Sequence, residues 1–259
     1  MKAKLKYILI STISVLVLLG IWQLCTDILH LVPAYALSSP VKVVQSFLYK
    51  LTNTAPDGST LFEHIWTSLK VALVGYGIGA VVGIPLGIAM GWSKKASCFI
   101  RPLFDLLRPM PPIAWIPIMI IFLGIGIKAR AAIIFLSAFV PCVINSSTGI
   151  LQTNPVHIWV AQTFGASNIR ILFKVAIPSA LPQIFTGLTI SLTSAWSALV
   201  AAELLASSSG LGFMIQANRM IGRPDMIIVG MLTIGAIGAI LSAILRILQR
   251  CVVKGGNRS

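Results

Sequence analysis

The chain has 259 residues, of which 57% are hydrophobic and only 10% charged, with a mean hydropathy of +0.94. Soluble domains carry roughly 25% charged residues, so an ordinary aqueous fold is excluded and the composition is that of an integral membrane protein. The formal charge of +14 is spread among short segments between apolar runs rather than gathered with stacking aromatics on one face, which excludes nucleic acid and leaves the lipid bilayer as the surrounding partner.

Six stretches are long and apolar enough to cross roughly 30 Å of hydrocarbon as helices. They lie near Tyr7–Leu24, Leu69–Trp92, Pro112–Ile127, Ala131–Leu151, Gln183–Leu205 and Met226–Leu248. The first has the basic start of a secretory signal and a small-x-small triplet at Ala34–Ala36. Its apolar run of about 18 residues exceeds the 7 to 15 of a signal core, so an uncleaved anchor is expected. Between Thr26 and Ser68, Pro33, Pro40 and Pro56 punctuate an outer connection, and Val41–Leu51 has the apolar spacing of a helix lying along the interface. The second span carries Gly75, Gly79, Gly83, Gly87 and Gly91 at intervals of four. Lipid supplies no hydrophobic drive between helices, so such a bare ridge serves close van der Waals contact.

A basic elbow, Ser93–Arg108, then leads into Pro109, Pro111, Pro112 and Pro117. Prolines at that density force extended or kinked backbone at membrane depth, which fits a gate or path lining around Trp115 and equally a kinked helix start held by packing. Pro112 and Pro117, with Gly124 and Gly126, make the third span the least regular. The fourth span holds Asn145, Ser146, Ser147 and Thr148, and the fifth holds Ser194 and Ser197 among other small and hydroxyl residues. These polar groups either line a path or form interhelical hydrogen bonds worth about 0.6 kcal/mol each. Glu203 is the acidic residue placed inside a span, near its outer end. It is either a functional carboxylate or a scaffold group that caps the turn at 207–212 or pairs with Arg219.

The segment from Asn154 to Pro182 lies between spans four and five. Asn154 followed by Pro155 reads as an N-cap with proline at the first helical position, and Gly165 reads as the left-handed residue that ends a helix of about ten residues. Ser167 or Asn168 caps a second turn carrying Arg170 and Lys174, which Pro178 ends before Pro182 opens the next span. Ala161 and Gly165, four apart, leave one face nearly bare, so a partner can approach the backbone closely.

Cys25, Cys98, Cys142 and Cys251 show neither disulfide nor metal spacing, and His30, His64 and His157 are scattered. No GxxxxGK loop, nucleophile elbow or HExxH occurs, so no catalytic residue, cofactor or metal is expected and the chain has no ATPase motif of its own. With a cytoplasmic N-terminus, 13 of the 20 Lys and Arg lie inside: Lys2, Lys4, Lys6, Lys94, Lys95, Arg101, Arg108, Arg170, Lys174, Arg246, Arg250, Lys254 and Arg258. That excess puts both termini and the 154–182 segment in the cytoplasm.

The 154–182 segment resembles the cytoplasmic EAA loop of permease subunits of bacterial ABC importers. In that loop a Glu-Ala-Ala start is followed by a glycine and an Ile-x-Leu-Pro close. Here Trp159-Val160-Ala161 stands at the start, Gly165 is the glycine, and Val175-Ala176-Ile177-Pro178 is the close. Trp159 and Val160 depart from the family's Glu and Ala, which replaces a charged contact by apolar docking. The resemblance spans nearly the whole chain and narrows to the taurine, aliphatic sulfonate and nitrate permeases. Arg108–Pro117 with Phe122-Leu123-Gly124-Ile125-Gly126 is similar to that branch's Pro-rich third span. Ala195–Leu204 and Gly210-Leu211-Gly212-Phe213-Met214 are most similar to its taurine members.

The resemblance implies an all-α polytopic fold of the type I ABC importer permease kind, a single permease domain over 1–259. That domain divides into an anchor and outer segment 1–68, core spans 69–251 and a cytoplasmic tail 252–259. It implies a coupling helix between spans four and five, a second permease copy forming a homodimer, a cytoplasmic ABC ATPase dimer, and a periplasmic or lipid-anchored substrate-binding protein, in the bacterial inner membrane. The residues it places against the ATPase are Trp159, Ala161, Phe164, Gly165, Arg170, Ile171, Lys174 and Pro178. Trp115, Asn145, Ser194, Ser197 and Glu203 are the path candidates. Few charges lie inside the spans, so the solute is expected to be small and anionic or zwitterionic, with taurine or another sulfonate foremost. A stand-alone carrier or channel is the alternative, and it would need ionisable groups in the spans beyond Glu203. A membrane enzyme would need clustered His, Asp or Glu near a span end.

Overall fold

The computed structural model describes residues 2–253. Of the tail expected at 252–259, positions 254–259, with Lys254 and Arg258, lie outside the described residues, as does Met1. The elements in order are α1 (Lys2–Gln23), a π turn Leu24–Ile28, α2 (Pro40–Thr52), α3 (Leu61–Trp92), α4 (Lys94–Leu107), a 3-10 turn Pro112–Trp115, α5 (Ile116–Leu123), α6 (Ile127–Leu151), α7 (Pro155–Thr163), α8 (Asn168–Ile171), a π turn Leu172–Ala176, α9 (Ile177–Ala206), α10 (Leu211–Met220) and α11 (Pro224–Val252). Among the described residues no strand occurs. Among the described residues five helical stretches are long and apolar enough to span a membrane: Leu9–Ile28, Leu61–Trp92, Ile127–Leu151, Asn168–Leu205 and Pro224–Val252.

Two expectations are corrected. The third span is not one helix over 112–127. The elbow is itself a regular helix, α4, whose N-cap Ser93 accepts from the Ala96 N–H at 3.3 Å, and it meets the Pro112–Leu123 pair at an 82° bend, the geometry of a broken span or a re-entrant loop. Pro109, Pro111 and Pro112 lack amide donors and push the residues before them out of the helical region, so the chain must turn there. Gly124, at φ 74, then ends α5. The second correction concerns Pro178, which does not stop a helix. It sits in the first turn of α9, directly after the π turn in which the Ile177 N–H reaches Leu172 O. The widened turn makes room for a ring that would otherwise strike the carbonyl four residues back, and helix runs on to Ala206.

The chain divides into two compact units, one formed by residues up to Trp66 with Ser209–Gly235, the other by Thr67–Ser208 with the residues from Ala236. In the larger unit the glycine ridge of α3 lies on α6. A Cβ at Gly75, Gly79, Gly83, Gly87 or Gly91 would fall between 2.4 and 2.9 Å from α6 atoms, whereas one at Gly77, off the ridge, would meet nothing within 4 Å. Gly187 gives α9 the same approach to Asn145 of α6, at 2.6 Å. Ile116, Ile133, Ala198 and Ala202 bury α5 against α6 and α9, while Met90, Phe104 and Val143 seat α4 between α3 and α6. Large apolar groups such as Val81, Ile121 and Phe122 stay exposed, as a lipid-facing surface requires.

In the smaller unit, Ser39 caps α2 by accepting from the Lys42 N–H, and Val41–Leu51 lies within that helix as expected. A buried polar cluster holds this unit together. Asp57 pairs with Lys50, accepts from His64 Nε2 at 3.2 Å and from Asn218 Nδ2 at 3.0 Å. The Gly210 N–H donates to His64 Nδ1 at 3.1 Å, which makes Nδ1 an acceptor and turns Nε2 toward Asp57. Burial alone would raise the Asp57 carboxyl; the hydrogen bonds from His64 and Lys50 outweigh it and hold the group at about 2.

Candidate functional site

The segment between α6 and α9 is built from its caps. Asn154 Oδ1 accepts from the Val156 N–H at 3.0 Å, Pro155 takes the first helical position, and α7 runs nine residues. Its end is a Schellman motif: the Gly165 N–H reaches Gln162 O at 2.8 Å and the Ala166 N–H reaches Ala161 O at 3.1 Å. Gly165 has φ 76 with open space around its missing Cβ, so the constraint there is conformational and not steric. Ser167 Oγ then accepts from the Arg170 N–H and starts α8.

What this segment shows to its surroundings is apolar. Trp159 is 62% and Phe164 87% exposed, and Val156, Val160, Ile169 and Phe173 are uncovered too. Arg170 and Lys174 are exposed beside them. Ile171 differs from the surface role expected for it: at 1% exposure it is buried, and it fastens the segment instead of presenting a face. Ile150, Ala176, Ala180 and Ile184 form the adjoining cluster, with Leu172 and Ile177 against it. The segment is therefore a short capped helix, α7, with no buried residue of its own, followed by α8, whose Ile171 is buried, and its large apolar groups have no intramolecular cover.

Of the path candidates, Trp115 and Ser194 come together on a cavity of about 230 Å³, bordered also by Arg108, Ser137 and Pro141. Asn145 is elsewhere: it donates to Pro141 O at 2.8 Å and accepts from Gln183 Nε2 at 2.9 Å, tying α6 to α9. Ser197 is exposed and donates to Thr193 O. Glu203 is fully buried, accepts from Ser68 Oγ at 2.8 Å, and lies 3.6 Å from Arg130 Nη1, which also donates to Ser207 Oγ at 2.8 Å. The span read from sequence begins at Ala131 and leaves Arg130 just outside it; α6 begins at Ile127, which carries that guanidinium into the helix and gives the carboxylate a cation. The missed signal was an arginine three residues into an apolar helix. Among the described residues no group of His, Cys, Asp and Glu is arranged to hold a metal ion.

An all-helical bundle with a capped, apolar-faced element between two spans defines a class, and comparison with known proteins names it. The family model of the binding-protein-dependent transport system inner membrane component matches residues 83–255, and the chain belongs to that family. It is 36% identical over 248 residues to the taurine transport system permease protein TauC of Escherichia coli (strain K12), covering 95% of this chain and 89% of TauC. It is 34% identical to the nitrate import permease protein NrtB of Leptolyngbya laminosa, covering 94% of this chain and 87% of NrtB. A chain from inward-facing conformations of the MetNI methionine ABC transporter superimposes with a TM-score of 0.63 at 21% identity, covering 76% of this chain and 96% of that one. The fold is that of a type I ABC importer permease, and the protein is a multi-pass membrane permease subunit of an ABC importer.

Proposed function

We propose that this permease moves a small oxyanion-bearing solute, taurine or another sulfonate ahead of nitrate, into the cytoplasm, driven by a separate ATPase dimer that docks on α7 and α8. The observation that carries the reading is the uncovered Trp159–Phe164 face on a capped helix between α6 and the α8–α9 stretch. Trp159, Phe164, Arg170 and Lys174 form the contact, Ala161 and Gly165 give close approach, and Ile171 and Pro178 set the element's position. Likeness to TauC supports a sulfonate, and comparable likeness to NrtB supports the shared chemistry of a small anion. The distribution of basic residues supports cytoplasmic termini and a cytoplasmic coupling face. The assembly has a second copy of this chain beside the first and a substrate-binding protein on the outer side, in a bacterial inner membrane. The Trp115–Ser194 cavity belongs to the path in this reading.

The test is reconstitution of the permease with its ATPase and binding protein, measuring ATP-dependent uptake of labelled taurine and of nitrate. Uptake by the lone chain on an ion gradient would refute the reading. Sidedness is checked with Arg170→Cys after Cys98 and Cys251, both exposed, are replaced by serine. An impermeant maleimide should leave Cys at 170 unlabelled in intact cells and label it in inverted vesicles.

A further inference from the structure

We propose that a second cleft in the larger unit, separate from the Trp115–Ser194 cavity, is a binding site for a tetrahedral oxyanion, sulfonate or phosphate. This cleft, of about 490 Å³, lies among the end of α3, α4 and the second half of α6. Lys94, Ser97, Arg101 and Arg108 border it from α4 and its C-cap, and Ser147 and Thr148 from α6. Positions 94, 97, 101, 105 and 108 follow intervals of three and four, which sets them on one helix face. Three cations and three hydroxyls converge there, a donor set suited to several oxygens of one anion.

Asp105 is the single carboxylate on that wall. It lies 3.6 Å from Arg101 Nε and 3.9 Å from Arg108 Nη1, with all three side chains at least half exposed. Those contacts are long and solvated, so they occupy the guanidinium groups weakly and leave the cleft net positive. Arg108 borders both this cleft and the Trp115–Ser194 cavity, so an anion held here sits next to the space assigned to the path. The occupant is a free oxyanion or the phosphate of a lipid headgroup, two sources with the same chemistry.

The site does not depend on transport, and its test reads binding alone. The purified full chain is titrated with labelled inorganic sulfate at constant ionic strength. In parallel it is extracted from vesicles of phosphatidylglycerol and phosphatidylcholine, and retained lipid is counted by native mass spectrometry. Sulfate affinity should fall about tenfold or more in the Arg101→Gln, Arg108→Gln double variant and rise in Asp105→Asn, which removes the competing carboxylate. The opposite sign of the two variants cannot come from misfolding. Selective retention of phosphatidylglycerol with the same dependence assigns the site to a lipid headgroup and equally supports it. Absence of binding by both probes, or binding indifferent to these variants, overturns the proposal. Sulfate binding in a chain that carries no sulfonate would leave this site standing while the substrate reading falls.

Discussion

Replacing Gly87 by alanine adds one methyl group where α3 meets α6. The new Cβ would lie 2.4 Å from Val143 O and 2.8 Å from Ser146 Cβ, and ordinary contact begins near 3.4 Å, so the helices must part by about 1 Å. Backbone cannot rotate aside as a side chain can, and the gap opens along the whole ridge, because a separation of that size forfeits a quarter to a half of the dispersion well at neighbouring contacts. Overpacking of this kind costs about 1 to 3 kcal/mol. Gly77→Ala is the internal control: it lies on the same helix, its Cβ would meet nothing within 4 Å, and alanine's better helix propensity should make it neutral or stabilising by up to about 1 kcal/mol. Denaturant-induced unfolding of the purified permease in mixed micelles measures both. Equal midpoints for the two variants would refute the claim that the ridge is a steric contact.

Gly165→Ala puts a side chain at φ 76 and should weaken the end of α7 by about 1 to 2 kcal/mol. Substrate-stimulated ATP hydrolysis in proteoliposomes should then drop, Gly165→Asn should retain most of it, and Gly165→Glu should abolish it while the chain still inserts into the membrane. Asp57, held at about 2 against its ordinary 3.8, contributes stability that is complete above pH 3.8 and lost as pH falls toward 2. Thermal unfolding across that window should show a step that is missing in Asp57→Asn. Glu203→Gln leaves the Arg130 charge buried without its counter-ion and should destabilise by about 3 to 5 kcal/mol. An Arg130→Met, Glu203→Leu double variant should recover much of that loss in the same unfolding measurement, and a double variant no better than Glu203→Gln would mean the pair is not coupled.

Features written in local sequence were legible. Glycines at intervals of four announced a close helix contact along α3, though not its partner α6, and Asn154, Pro155 and Gly165 announced α7 to within a residue, because capping and steric freedom are properties of the residues themselves. Long apolar runs located five spans for the same reason. The α4–α5 bend and the passage of helix through Pro178 were not legible: proline rules forbid a regular helix but do not say whether the chain turns sharply or widens by a residue. The polar pairings were hidden by distance along the chain. Ser68 meets Glu203 across 135 positions, and Asn218 meets Asp57 across 161, so no window of sequence contains both partners. The face of Lys94, Arg101 and Arg108 could have been found from its heptad-like spacing alone, had the elbow been read as helix.

The passage of helix through the π turn has one more consequence. From Asn168 to Leu205 the chain forms one continuous helical stretch of 38 residues, about 57 Å at 1.5 Å per residue, nearly twice the thickness of bilayer hydrocarbon. Such a rod works as a crank: a tilt of about 5° about its far end sweeps the tip through about 5 Å, close to one helical turn. From Asn168 to Leu205 the helical stretch is unbroken, so a tilt of α8 carries to the far end of the span, and the place to introduce slack by substitution is the π turn at Leu172–Ala176.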